Sequence, residues 1–268
     1  MPLTFTKYEG LGNDFIVVDG HEADVTPEIA RALCDRNFGI GGDGVLLVLP
    51  ARDPGARARM LVLNADGSRP QMCGNGLRCV ALHLALADEA SQIVYSIETD
   101  SGTRRAEVAR NGNRAEVKLG MGVAQMLGER RLQVDRGQCS FLEVSVGNPH
   151  AVTFEPGFDL VAIDRIAPLV SSKIEGGANI EFVVQKDASH LDLVVWERGV
   201  GRTLACGTGA AAAAAAAAVS GRIAFDQPVE VRLPGGPLEL TVHQGSLEVD
   251  LKGPARRVFQ GEIAVPSF

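Results

Sequence analysis

The chain has 268 residues, 46% of them hydrophobic and 22% charged, and a formal net charge of −7. That composition suits one large globular domain or two smaller ones, each with a real core, and its acidic balance argues against nucleic acid or an anionic membrane as the main partner. Five cysteines, an odd number in a long chain, disfavour a disulfide framework and point to a reducing cytoplasm, and neither a Cys-x-x-Cys nor a paired-histidine spacing suggests zinc.

The N-terminal residues lack a basic stretch followed by an apolar run, so no signal peptide is expected. Gly12-Asn13-Asp14-Phe15 leads into a strand-like run, Ile16 to Asp19, and Pro27 to Asp35 reads as an outer helix. Met72-Cys73-Gly74-Asn75-Gly76-Leu77-Arg78 opens a second helical run, rich in Ala and Leu, that continues through Cys79 to Ala87. Asn111-Gly112 is a hairpin turn, followed by Ala115, Val117 and Leu119 on one strand face. Gly147-Asn148-Pro149-His150 leads into another strand, Ala151 to Phe154, and Ala162 to Ser171 reads as a second outer helix. Leu204-Ala-Cys-Gly-Thr-Gly209 precedes nine alanines, Ala210 to Ala218, which is well short of the ~18 apolar residues of a membrane span but is the best helix former in an unbroken row. Thr208 is expected to supply the helix-capping hydroxyl, and Cys206 to lie at a helix start where a thiol pKa falls and an anion can be held. Gln244-Gly245 is a turn between Leu238, Leu240, Val242 and Leu247, Val249, Leu251. The last segment, Arg257 to Val265, is strand-like and is expected to return to the first domain.

These elements recur at matched offsets. Asn64 lies nine residues before Cys73 and Glu197 nine before Cys206; Gly112 and Gly245 are each 39 past their cysteine, and Gly120 and Gly253 each 47 past. Asn13 precedes Cys73 by 60 and Asn148 precedes Cys206 by 58. The chain therefore reads as two copies of one unit, 1–120 with 256–268 and 121–255, joined near Gly120-Met-Gly122. The expected fold class is α+β: two pseudo-symmetric domains, each a curled, mostly antiparallel sheet around a central helix, with the site in the cleft between them. Close packing around a central helix accounts for the alanines. Two cysteines across a shared cleft could take a proton from one face of an α-carbon and return one to the other, with helix ends holding the carboxylate and no cofactor required.

The ordered set Lys7-Tyr-Glu-Gly-Leu-Gly-Asn-Asp-Phe15, Gly39-Ile-Gly-Gly-Asp-Gly44, Asn64-Ala-Asp-Gly-Ser68, Met72-Cys-Gly-Asn-Gly76, Gly147-Asn-Pro-His150, Asn179 in Gly-Ala-Asn-Ile, Trp196-Glu-Arg-Gly199 and Ala205-Cys-Gly-Thr-Gly209 resembles the diaminopimelate epimerases over nearly the whole chain. The resemblance implies a cofactor-independent, cytoplasmic isomerase of lysine and peptidoglycan precursor synthesis that interconverts LL- and meso-diaminopimelate. It implies that Cys73 and Cys206 are the acid/base thiols and that Gly74, Asn75, Gly207 and Thr208 offer backbone N–H groups to the reacting carboxylate. Asn13, Asn64, Asn148, Asn179 and Arg198 would hold the distal amino-carboxylate, and His150 and Glu197 would tune the thiols, Glu197 also reaching substrate. Gly44 departs from members that carry glutamine there, so it is not a site residue. The partner implied is a small diamino dicarboxylic acid, with a homodimer left open and neither nucleic acid nor membrane expected.

Cys34, Cys79 and Cys139 read as ordinary core residues, and His21, His83, His190 and His243 as structural or solvent-facing. Asp14 and Asp43 read as turn formers, and Arg52 to Arg59 and Glu129 to Arg131 as solvated surface. Two other functional readings stay open. A proline or hydroxyproline racemase shares the two-thiol logic, although its ring has no distal amino-carboxylate for Arg198 and the asparagines. A thiol redox switch, or a binding relative without isomerase activity, is the other; facing thiols could form an inactivating disulfide if within reach.

Overall fold

The computed structural model describes residues 2–134 and 137–264, so Val265, the last residue of the expected terminal strand, lies outside the described residues. The chain divides into two compact units, 1–119 with 253–268 and 120–252.

In the first unit β1 (Pro2–Gly10) and β2 (Asn13–Asp19) pair antiparallel, β2 runs parallel to β3 (Gly44–Leu49), and β3 is antiparallel to β4 (Ala58–Asn64). β4 is parallel to β5 (Gln92–Thr99), and β5, β6 (Gly102–Asn111) and β7 (Arg114–Val123) form an antiparallel meander. A parallel pair needs a crossover, and each crossover here carries a helix: α1 (Pro27–Cys34) between β2 and β3, α2 (Gly74–Ala87) between β4 and β5. The long β16 (Glu248–Ala264) closes the other edge, pairing antiparallel with β1 from Arg256 to Ala264.

The second unit repeats this order. β8 (Gln125–Val134), β9 (Gly137–Ser145) and β10 (Pro149–Thr153) are antiparallel, β10 runs parallel to β11 (Asn179–Gln185) across α3 (Leu160–Ser171), and β11 is antiparallel to β12 (His190–Glu197). β12 carries a short partner, β13 (Gly201–Arg202), then crosses through α4 (Gly207–Val219) to run parallel to β14 (Pro228–Leu233). β14, β15 (Gly236–Val242) and the start of β16 end the sheet as an antiparallel meander.

Each sheet curls around its own helix: α2 packs against β1 to β6, and α4 against β9 to β12, β14 and β15. The outer helices cover the opposite faces, which is why β3, Gly-Val-Leu-Leu-Val-Leu, is buried at every position instead of alternating. Its odd-numbered residues Val45, Leu47 and Leu49 join Ala30, Leu33 and Cys34 of α1 in one core cluster. In α4 the alanines from Ala210 to Ala218 are at most 2% exposed, so this helix is buried on every face and alanine lets the surrounding strands come close at no rotamer cost. Cys34, Cys79 and Cys139 are buried, and all five cysteines are free thiols.

Three local expectations need correction. Leu247 sits in the turn before β16 with φ +57, its N–H donating to the His243 carbonyl at 3.0 Å, so the strand alternation begins only at Val249. Arg59 is not solvated surface: it is 8% exposed on β4, its guanidinium 3.4 Å from both Glu22 and Asp100. Asp14 and Asp43 do more than form turns, because Arg36 bridges both carboxylates and Lys7 pairs with Asp14 at 2.5 Å.

Candidate active site

Both helices begin on a cysteine. Cys73 is the N-cap of α2 (φ −138°, ψ 110°) and Cys206 the N-cap of α4 (φ −131°, ψ 106°). In each case Sγ accepts from the N–H three residues on, Gly76 or Gly209, at 3.4 Å. That leaves the N–H groups of Gly74 and Asn75 in one helix, and of Gly207 and Thr208 in the other, directed out of the helix end. Thr208 is therefore not the capping hydroxyl; the sulfur takes that place, and the Thr208 hydroxyl lies 3.6 Å from it. At the third position a side chain would press on what lies beneath: a Cβ on Gly76 would meet Leu46 Cδ2 at 2.9 Å, and one on Gly209 would meet Glu181 Oε1 at 3.0 Å.

In the first unit the Asn75 amide donates to Asn13 Oδ1 at 3.1 Å, and the Asn13 amide donates to Asp43 Oδ2 at 2.6 Å. Asp43 thereby fixes which end of the Asn13 amide faces the helix start. Asn64, the last residue of β4, donates to the Ser68 hydroxyl at 2.9 Å and pairs across the ladder with Gly44. Arg78, one turn into α2, is fully buried; its Nε donates to the Pro254 carbonyl at 3.1 Å, and its two terminal nitrogens have no hydrogen-bond partner among the described residues. Burial lowers its proton affinity, whereas negative charge on Cys79 or Cys73 would favour the charged guanidinium. Cys73 thus has a buried cation nearby.

The surroundings of Cys206 have the opposite sign. His150 is 1% exposed; its Nδ1 is 2.7 Å from Glu181 Oε1, and its Nε2 is 3.0 Å from Asn148 Oδ1. The Asn148 amide donates to the Thr208 hydroxyl at 3.5 Å. Glu197, at the end of β12, accepts from the Thr203 hydroxyl at 2.5 Å, and its charge acts on Cys206. Burial pushes the carboxyls of Glu181 and Glu197 above the usual range, opposed at Glu181 by the contact with His150 and at Glu197 by the Thr203 hydroxyl. Burial, then Glu197 and Glu181, hold the Cys206 thiol well above its ordinary pKa. The expected fall at a helix start is opposed by desolvation, which favours the neutral form of the Cys206 thiol. Because folding raises this pKa, the protonated thiol contributes stability below its unfolded pKa that is lost as pH rises through the folded value. At about pH 8 iodoacetamide is expected to alkylate the half-buried Cys73 well ahead of the buried Cys206, as peptide mass spectrometry would read; equal rates would remove the burial argument.

Asn179 and Arg198 come together at the end of β11. The Arg198 backbone N–H donates to Asn179 Oδ1 at 3.0 Å, and the exposed guanidinium donates to the carbonyls of Gly176 and Gly177. Three neighbours of the expected site residues were not singled out from sequence: Asp43 behind Asn13, Arg78 near Cys73, and Glu181 behind His150. Glu181 left one trace, a lone charge within an otherwise apolar strand run, Asn179-Ile-Glu-Phe-Val-Val.

No helix among the described residues is long and apolar enough to cross a membrane. Two solved structures share the fold at 16% identity: a hydroxyproline epimerase from Agrobacterium vitis (TM-score 0.79, covering 100% of this chain and 92% of that one) and a probable proline racemase from Agrobacterium radiobacter (TM-score 0.78, 99% and 94%). The sequence is 39% identical to the diaminopimelate epimerase of Synechocystis sp. over 285 residues, covering 99% of this chain and all of that protein. It is 40% identical to the chloroplastic diaminopimelate epimerase of Oryza sativa, covering 97% of this chain and 79% of that protein. The family model of diaminopimelate epimerase matches residues 5–127 and 142–258. The chain belongs to the diaminopimelate epimerase family.

Proposed function

We propose that the protein interconverts LL- and meso-diaminopimelate, with Cys73 and Cys206 as the two acid/base thiols. The observation that carries this reading is the pair of N-capping cysteines with matched backbone geometry, one per repeated unit, in a chain of this family. One thiolate removes the α-proton and becomes a thiol; the other thiol delivers its proton to the opposite face and becomes a thiolate. Backbone N–H groups of Gly74, Asn75, Gly207 and Thr208 are the proposed donors to the α-carboxylate, where negative charge builds as the proton leaves. Burial and the two carboxyls near Cys206 support Cys206 as the thiol that delivers the proton, which leaves Cys73 as the base.

Asn13, Asn64, Asn148, Asn179 and Arg198 are the proposed contacts of the distal amino-carboxylate, supported by their amide and guanidinium chemistry. The five free cysteines support a reducing, cytoplasmic setting. The test is proton NMR of LL-diaminopimelate with the reduced protein in D2O. The expected result is meso product with deuterium at the inverted α-carbon, because the donating thiol exchanges with solvent. Exchange of proline or hydroxyproline in place of diaminopimelate would move the protein to the smaller-substrate racemases.

A further inference from the structure

The two units can be aligned residue by residue from their ladders. Phe15 opposes Gly44 where β2 meets β3, and His150 opposes Asn179 where β10 meets β11. Gly44 opposes Asn64, nine residues before Cys73, and Glu197 stands nine before Cys206. Asn13 therefore corresponds to Asn148, Phe15 to His150 and Leu46 to Glu181. Three-dimensional contact agrees, since Leu46 lies under Gly76 as Glu181 lies under Gly209. At these two ladder positions unit 1 holds an apolar pair, Phe15 and Leu46, with Leu46 under Gly76; unit 2 holds His150 and Glu181.

Burying that second pair is expensive unless it acts. Glu181 is fully buried, and its Oε2 has no hydrogen-bond partner among the described residues. Its Oε1 meets His150 Nδ1, which directs His150 Nε2–H at Asn148 Oδ1 and so turns the Asn148 amide towards the Thr208 hydroxyl. With its lone pair engaged by Asn148, that hydroxyl is free to donate to Cys206 Sγ. We infer that Glu181 is a positioning residue for the proton transfer at Cys206: it anchors His150, and through Asn148 and Thr208 it aims a donor at the sulfur. The titratable groups that face it are His150 from β10, Glu197 from β12 and Cys206 at the start of α4.

This inference rests on the acid/base role proposed for Cys206, so its test includes a reading that does not need turnover. In the ligand-free protein a downfield, slowly exchanging proton resonance is expected from the hydrogen bond between His150 Nδ1 and Glu181 Oε1, and it should vanish in Glu181→Leu. Turnover is then measured in a double-mutant cycle of Glu181→Leu and His150→Phe, the double variant recreating the apolar pair that unit 1 already folds with. Glu181→Leu should lower kcat about 100-fold with KM within about threefold of wild type, the pattern of a displaced group and not of lost binding. In the His150→Phe background the same change should lower kcat by no more than about twofold, because Glu181 acts only through His150. Glu181→Gln, which keeps a polar partner for Nδ1, should recover at least about tenfold of the Leu variant's loss. A further large loss in the His150→Phe background, a Gln variant as slow as the Leu variant, or a Leu variant with wild-type kcat would each overturn the inference. If wild type turns over no diaminopimelate while the resonance behaves as expected, the function proposal fails and the contact stands.

Discussion

Replacing either N-capping cysteine by alanine is expected to lower epimerisation by at least about 10²- to 10⁴-fold, the usual contribution of a positioned acid or base. Both variants should keep the wild-type circular dichroism spectrum. The cap itself is a weak one, a 3.4 Å contact from a glycine N–H to sulfur, and losing a cap costs about 1 kcal/mol, too little to unfold a unit of this size. The two losses should also be non-additive: once one thiol is gone, inversion has no complete path and removing the second changes little. The readout is the D2O experiment, in which each single variant should yield almost no deuterated meso product. Turnover near wild type in either would sink the two-thiol assignment outright. Cys79→Ala, six residues beyond Cys73 and fully buried, serves as the control for lost sulfur without lost chemistry.

The second large effect concerns the alanine helix. Counting from the capping cysteine, Ala215 of α4 stands where Leu82 stands in α2, and both are fully buried. If each sheet is fitted to its own helix, neither residue can be exchanged for the other. Ala215→Leu should destabilise by about 1–3 kcal/mol through overpacking. Leu82→Ala should cost about 2–5 kcal/mol through lost burial and a cavity. For a chain of this size each kcal/mol corresponds to about 2–4 °C of melting temperature, so both variants are readable by calorimetry. A neutral Ala215→Leu would mean that the space around α4 is slack and that the alanines do not report close approach.

The offsets made the repeat legible, because Gly and Asn mark turns at fixed places whatever fills the strands between them. Both central helices and the meanders after them could be read for the same reason: Ala-rich runs and strict alternation are local signals. The parallel pairs, β2 with β3 and β10 with β11, were not legible, since residues such as Phe15 and Gly44 meet only through a crossover that leaves no periodic mark. Glu181 was hidden for a related reason. Its meaning depends on His150, which lies on another strand, and on a ladder register that period-two patterning alone does not fix. The helix start at Cys206 is visible in sequence, whereas the burial that raises its thiol pKa is not.

The long β16 also sets an order of events when the chain is made. The second unit is one continuous stretch of sequence, so all of its strands leave the ribosome together. The first unit is synthesised earlier yet stays unfinished, since the strand beside β1 is the last to appear: Glu9 finds its partner only at Arg256. At synthesis rates of about 5–20 residues per second, β1 waits about 12–50 s with one edge open. That is a long exposure for an edge carrying Leu3, Phe5 and Tyr8, and an open strand edge is a template for wrong pairing. The earlier half of this protein is thus the later to complete its sheet, and until then its open edge is carried by the nascent chain.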